Sequence, residues 1–133
     1  MLLGIDSLLN GEILLHLDRM GHSDLVVIAD AHFPAHRLGR NVIDVVGTSP
    51  RVVKAVRSVI ELDDVDPVTL MFSSTTLLDV QAELLDAAGV GEQSLVAVNR
   101  TEFYETAALA NLILRTTETR IYANAILRKG VTG

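Results

Sequence analysis

The segment Gly21-His22-Ser23-Asp24-Leu25-Val26-Val27-Ile28-Ala29-Asp30-Ala31-His32-Phe33-Pro34-Ala35-His36 decides the fold class. Its middle, Leu25 to Ala29, is an uninterrupted apolar run. It is too short for a stable helix and lacks the alternation of a strand with one wet face. It therefore reads as a strand covered on both sides, which requires helices above and below it. Polar, proton-active residues stand at both ends of this run, and three of the chain's four histidines lie in the segment. Histidine titrates across neutral pH, so His22, His32 and His36 beside Asp30 supply acids and bases without unusual tuning.

Outward from this strand, helix and strand patterns alternate. Ser7 is the expected cap of a helix running to Met20, with Leu9, Ile13, Leu17 and Met20 at helical spacing and Gly21 as the stop. Val42 to Val46 repeats the short apolar run, and Ser49-Pro50 opens a helix whose buried side is Val52, Val53, Val56, Val59 and Ile60. Val68 to Phe72 is a third strand, followed by a helix marked by Leu77, Leu78, Leu84, Leu85 and Ala88 that Gly89 ends. Leu95 to Val98 is a fourth, leading through Arg100 into a helix from Glu102 to Ala110. Leu112 to Thr116 and Ala125 to Lys129 close the chain as strands. The alternation predicts an α/β fold, helices packed on a parallel or mixed sheet. No linker, repeat or low-complexity segment divides residues 1–133, which read as one domain.

Composition narrows the function. At 133 residues and 49% apolar content the chain can bury a substantial core. No apolar run approaches the roughly 20 residues needed to cross a bilayer. The amino terminus lacks the pattern of a secretory signal, so a cytoplasmic location and no membrane partner are expected. The absence of cysteine excludes disulfides, thiolate metal sites and a cysteine nucleophile. A net charge of −6 repels a phosphate backbone, so nucleic acid is not an expected partner. Arg115, Arg120, Arg128 and Lys129 read as solvated faces, and His16, one turn after Glu12, as a structural or surface residue.

The candidate chemistries are few. His32 and His36 have the spacing of a helical zinc motif, but Pro34 between them opposes that helix, so no metal is expected. Gly89-Val90-Gly91 is only a fragment of a dinucleotide fingerprint and precedes a strand, and no Gly-x-Ser-x-Gly elbow occurs. Acid/base work on a polar ligand remains. Asp30 and Arg100 each directly follow an apolar strand, where open α/β sheets place ligand contacts. Tyr122 and Asn124 share one side if their segment is extended, and an aromatic ring beside an amide suits a sugar. Each residue has a plainer role open to it: His22 as a loop residue, Asp30 as a turn cap, Tyr122 as core with a satisfied hydroxyl.

Four blocks carry a family resemblance: Met20-Gly-His-Ser-Asp24, Asp30-Ala-His-Phe-Pro-Ala-His36, Asn99-Arg-Thr-Glu-Phe-Tyr-Glu105 and Tyr122-Ala-Asn-Ala-Ile-Leu-Arg-Lys-Gly-Val131. In these, and in their order, the chain resembles the L-fucose mutarotases and D-ribose pyranases. The resemblance implies a three-layer α/β/α sandwich with a central mixed sheet. It also implies an isomerase that needs no metal or cofactor, assembled as a homo-oligomeric, decameric ring. By this match His22 is the catalytic proton donor, and Asp30, Arg100, Tyr122, Ala123 and Asn124 bind the monosaccharide, with His32, His36 and Tyr104 in support. Arg100 and the Asp-Ala-His-Phe-Pro-Ala-His wording are similar to the fucose branch. The Tyr-Ala-Asn wording is more like the ribose branch, and the segment from Phe72 to Gln81 is short for the fucose type. The resemblance is closer to the fucose branch, so fucose-type sugars are favoured. A sugar-binding transport accessory without catalysis remains the competing class.

Anomer exchange needs only proton transfers at the ring oxygen and the anomeric hydroxyl, each worth typically ~10²- to 10⁴-fold. Strand geometry constrains how His22 and Asp30 can serve it. At a rise of about 3.3 Å per residue they lie roughly 20 Å or more apart. Either the His22 loop folds back along the strand, or a neighbouring subunit completes the pocket.

Overall fold

The computed structural model describes residues 1–72, 74 and 76–132. In chain order the elements are α1 (Gly11–Arg19), β1 (Leu25–Ala29), α2 (Ala35–Leu38), β2 (Val42–Val45), α3 (Ser49–Arg57), β3 (Val68–Met71), α4 (Asp79–Ala88), β4 (Leu95–Val98), α5 (Arg100–Ala107), β5 (Leu112–Thr116) and β6 (Ala125–Arg128). The strands form a six-stranded sheet in the order β2-β5-β1-β6-β3-β4. β6 runs antiparallel to both its neighbours, and the other pairs are parallel. The sheet is therefore mixed, as expected.

β1 shows why its sequence is continuously apolar. Val26 and Ile28 face the core shared with α1, α3 and α4, while Val27 and Ala29 face the one shared with α2 and α5. All four are fully buried. The result is a three-layer sandwich in which each helix contributes one apolar stripe. Ile13 and Leu17 of α1 and Val52, Val53 and Val56 of α3 lie on one side, and Phe103 and Ala107 of α5 on the other. No helix among the described residues is long and apolar enough to cross a membrane.

The helix ends differ from expectation in instructive ways. α1 begins at Gly11, because Asn10 rather than Ser7 accepts the capping bond, from the Ile13 N–H at 2.9 Å. Ser7 lies instead in a turn in which Asp6 accepts from the N–H of Leu8 and of Leu9. Gly21 does not adopt a left-handed stop. The Lys129 ammonium closes α1 by donating to the carbonyls of Leu17 (2.9 Å) and Met20 (2.6 Å), which corrects its reading as a solvated residue. Arg115 and Arg120 reach solvent, as expected, and are also paired, the first with Asp44 at 2.7 Å and the second with Glu83 at 2.7 Å. Thr48 caps α3 through the Arg51 N–H, so Ser49 is its first helical residue and Pro50 lies in its first turn. Gly89 ends α4 at φ 74°, as its position predicts. Asn99 caps α5 through the Glu102 N–H, so Arg100 is its first residue. The short helix α2 was not anticipated; Pro34 stands just before it, where a proline costs no helical bond.

Topology fixes where a site can form. Because β6 is antiparallel, its entry lies at the edge where β1 and β3 exit: Ala125 is opposite Ile28 on one side and Leu70 on the other. Residues 122–124 therefore arrive between the segments following β1 and β3.

Candidate functional site

Asp30 is the first residue after β1, and Asn124 the last before β6. They lock together reciprocally. The Asp30 N–H donates to Asn124 Oδ1 at 2.7 Å, and Asn124 Nδ2 donates to Asp30 Oδ2 at 3.0 Å. Asp30 Oδ2 also accepts from the Ala123 N–H (3.3 Å), and Asp30 Oδ1 from the His32 N–H (3.0 Å). Asp30 is 3% exposed and Asn124 4%. Two buried polar side chains at the end of a hydrophobic strand survive only with this degree of satisfaction.

Beside them lies a cavity of about 320 Å³, within the range of small-molecule pockets. Asp30, Arg100, Tyr122 and Asn124 all line it, and so do His32 and Tyr104. The structure thus brings together four residues that sequence separates into three groups. Ala123 is fully buried, and its contribution is the N–H it donates to Asp30. Phe33, Met71 and Ile121 complete the lining and were not singled out beforehand. Phe33 packs edge-on against both Tyr104 (5.3 Å between centroids, 85°) and Phe103 (5.8 Å, 80°), making one wall apolar. The signal for Phe33 was its place between His32 and Pro34. Met71 ends β3 beside β6, a neighbour relation set by strand order.

Tyr122 differs from expectation. Its segment is a turn rather than an extended strand, and Tyr122 itself adopts φ 56°, a left-handed conformation that non-glycine residues enter at a cost of roughly 1–2 kcal/mol. Tyr122 and Asn124 nevertheless reach the same cavity. Strain of this kind is held where surrounding bonds over-determine it.

His22 is elsewhere. It is absent from the cavity lining and sits at the opposite end of β1, with its side chain 60% exposed and Nε2 3.2 Å from Asp63 Oδ2. Its turn is pinned there: the Ser23 N–H donates to the Lys129 carbonyl at 2.8 Å, and the Gly21 N–H to Asp24 Oδ2 at 2.7 Å. The loop does not fold back along the strand. His36, on α2, is exposed and outside the cavity lining. Of the segment 72–81, noted for its shortness, residues 73 and 75 lie outside the described residues.

The electrostatics next to the cavity centre on Glu118. Its carboxyl is held below the ordinary carboxylate range, chiefly by the side-chain bonds from Arg120, against the opposing effect of burial; the Arg120 guanidinium is raised in turn. A carboxyl lowered in the folded state adds stability above its unfolded value, near 4.5, and loses it as pH falls through the lowered folded value. Asp6, through Arg51, and Asp63, through the Val65 N–H, act in the same direction. Glu118→Gln is therefore expected to reduce stability at pH 7 and to flatten its decline below pH ~4.5, read from urea midpoints across pH. An acid limb as steep as in the unsubstituted protein would contradict this assignment.

A family model described as the RbsD / FucU transport protein family matches residues 3–132. The chain belongs to that family. Solved structures extend the likeness within and around the RbsD / FucU family. A putative sugar binding protein is 33% identical over 100% of this chain and 97% of its own, with a TM-score of 0.92. FucU from Bifidobacterium longum is 34% identical, covering 98% of this chain and 99% of its own, at 0.84. The fucose mutarotase from Streptococcus pneumoniae, solved in complex with L-fucose, is 28% identical over 99% and 100% of the two chains, at 0.89. The RbsD / FucU membership agrees with the fold and with the resemblance carried by the four sequence blocks.

Proposed function

We propose that the protein is an aldose mutarotase, an isomerase that interconverts the α and β anomers of L-fucose and closely related sugars. The observation that carries this reading is the Asp30–Asn124 pair, buried, mutually bonded and lining one cavity together with Arg100 and the aromatic rings of Phe33, Tyr104 and Tyr122. Such a lining matches a monosaccharide, whose hydroxyls need a dense set of polar partners and whose C–H face needs apolar contact. A fucose mutarotase with L-fucose bound is among the structures this chain resembles.

In the proposed reaction an acid protonates the ring oxygen while a base takes the proton of the anomeric hydroxyl. The C1–O5 bond breaks to give the aldehyde, rotation about C1–C2 turns the carbonyl, and the ring oxygen adds to its other face as the two protons return. Asp30 fixes sugar hydroxyls and orients the proton transfer, and Arg100, Tyr122 and Asn124 hold the ring and the transient open chain. His22 is the proton donor. Since its turn is pinned at the far end of β1, it acts in the cavity of a neighbouring copy within a ring-shaped homo-oligomer. No cofactor is required, because the chemistry is proton transfer alone.

The test is magnetization transfer between α and β anomer signals in NMR, across L-fucose, D-ribose and galactose. Catalytic amounts of protein are expected to raise the exchange rate of L-fucose at least ~10²-fold over solvent at saturation. Acceleration confined to D-ribose pyranose–furanose exchange would favour the pyranase reading, to which the Tyr-Ala-Asn wording points. Sugar binding with solvent-level exchange throughout would establish a non-catalytic binding protein instead.

A further inference from the structure

Behind the cavity runs a chain of bonds with no place in the proposed chemistry. Glu118 is 4% exposed. Its carbonyl accepts the Ala31 N–H at 2.8 Å, and its own N–H donates to Thr116 Oγ1 at 3.2 Å, whose hydroxyl donates to the Ala29 carbonyl at 2.7 Å. Residues 116–118 are thereby fastened to both neighbours of Asp30. The Glu118 carboxylate accepts from the Ser49 N–H at the start of α3 (3.3 Å). It also accepts from Arg120 Nε (3.1 Å) and Nη2 (2.9 Å). The same guanidinium reaches α4 and grips Glu83 with Nη1 at 2.7 Å and Nη2 at 3.2 Å. One residue earlier, the Thr119 carbonyl is bonded to His32 Nε2 at 2.9 Å. The next two residues, Ile121 and Tyr122, enter the cavity lining.

We propose that Arg120, clamped between Glu118 and Glu83, is a positioning residue for the sugar site: it holds the 119–122 turn so that Tyr122 faces the cavity in its left-handed conformation. The inference rests on the mutarotase reading for its effect on sugar, but not for its effect on the turn. A planar fork bonded to two carboxylates from different elements has a defined direction, which a lysine ammonium cannot reproduce. Arg120 and Glu83 are half exposed, at 43% and 49%. Without the guanidinium the buried Glu118 carboxylate still accepts from the backbone N–H groups of Ser49 and residue 120, so the fold survives at some cost in stability. What is lost is the bias of the turn toward its binding-competent arrangement, and apparent affinity falls with the competent fraction.

The sequence supplies a probe. The chain has two tyrosines and no tryptophan, and both tyrosines, Tyr104 and Tyr122, line the cavity. The near-ultraviolet circular dichroism of tyrosine therefore reports the order of this site in the ligand-free protein. Arg120→Met is expected to weaken that band while leaving the far-ultraviolet spectrum and cooperative unfolding intact. It is expected to raise the L-fucose KM about 5- to 20-fold with kcat within about 3-fold. Arg120→Lys should recover only part of the KM, and Glu83→Gln added to Arg120→Met should cost nothing further, since one clamp is already gone. A wild-type tyrosine band and KM in Arg120→Met, or a loss confined to kcat, would overturn the proposal. If the unsubstituted protein exchanges no sugar, the mutarotase reading fails, and the tyrosine band alone decides whether Arg120 orders the turn.

Discussion

Asp30→Ala is expected to lose anomer exchange altogether and to be less stable by about 3–5 kcal/mol, read from denaturant midpoints at unchanged slope. The magnitude follows from what the carboxylate satisfies. The N–H groups of His32 and Ala123 and the amide of Asn124 all donate to it, within a pair of side chains 3% and 4% exposed. Leaving a buried donor unpaired costs roughly 1–3 kcal/mol, and water from the adjacent cavity recovers part of the sum. Domains of this size have only about 5–15 kcal/mol in reserve, so the loss is severe without being fatal. Asp30→Asn retains shape and one acceptor oxygen, and should lose activity with a smaller loss of stability. An Asp30→Ala protein within 1 kcal/mol of the parent would mean that the bonds of residues 122–124 to Asp30 do not hold that segment in place.

His22→Ala is expected to lower kcat by roughly 10²- to 10⁴-fold, the worth of a general acid, with sugar affinity changed only a few-fold. Stability should be little affected, because the His22 side chain is 60% exposed and solvent weakens its contact with Asp63, whose carboxylate keeps the Ser23 hydroxyl and the Val65 N–H as donors. The decisive form of the experiment uses two inactive proteins. Arg100→Met removes a contact in the cavity of its own copy, whereas His22→Ala disables the donor offered to a neighbour. If pockets are completed between copies, assembling the two together regenerates intact sites at about one quarter of all pockets by random pairing. Mixed assemblies as inactive as either parent, or full activity in His22→Ala alone, would refute a shared site with His22 as its acid.

Much of the fold was legible locally. Leu25 to Ala29 read as a doubly covered strand because no residue in it tolerates water, and Gly89 read as a helix stop because its left-handed backbone suits a residue without Cβ. The departures lie at helix ends, at the one-turn helix α2 and at the turn that holds Tyr122. The carbonyls closing α1 are satisfied by Lys129, 109 or more residues later in the chain, and nothing near Gly21 announces that. Asn10 and Ser7 are both competent caps by residue type; in the structure Ser7 lies within the Asp6–Leu9 turn and Asn10 takes the capping bond. The candidate residues followed the same division. Asp30 and Arg100 were recognisable from their positions after apolar strands, whereas Met71 and Ile121 acquire their place from neighbours far away in sequence.

By itself, then, the sequence determined every strand and the four longer helices, their order, the two-sided burial of β1 and the set of residues able to do proton chemistry, since these depend on periodicity, capping and side-chain type; the one-turn helix α2 was beyond it. Tertiary structure decided which of those residues meet. The insertion of β6 antiparallel between β1 and β3 delivers Tyr122 and Asn124 to Asp30, and the same strand carries Lys129 away to the end where His22 stands. The physical reason is that strand order and direction arise from the packing of whole layers, a non-local balance that no short stretch of residues encodes.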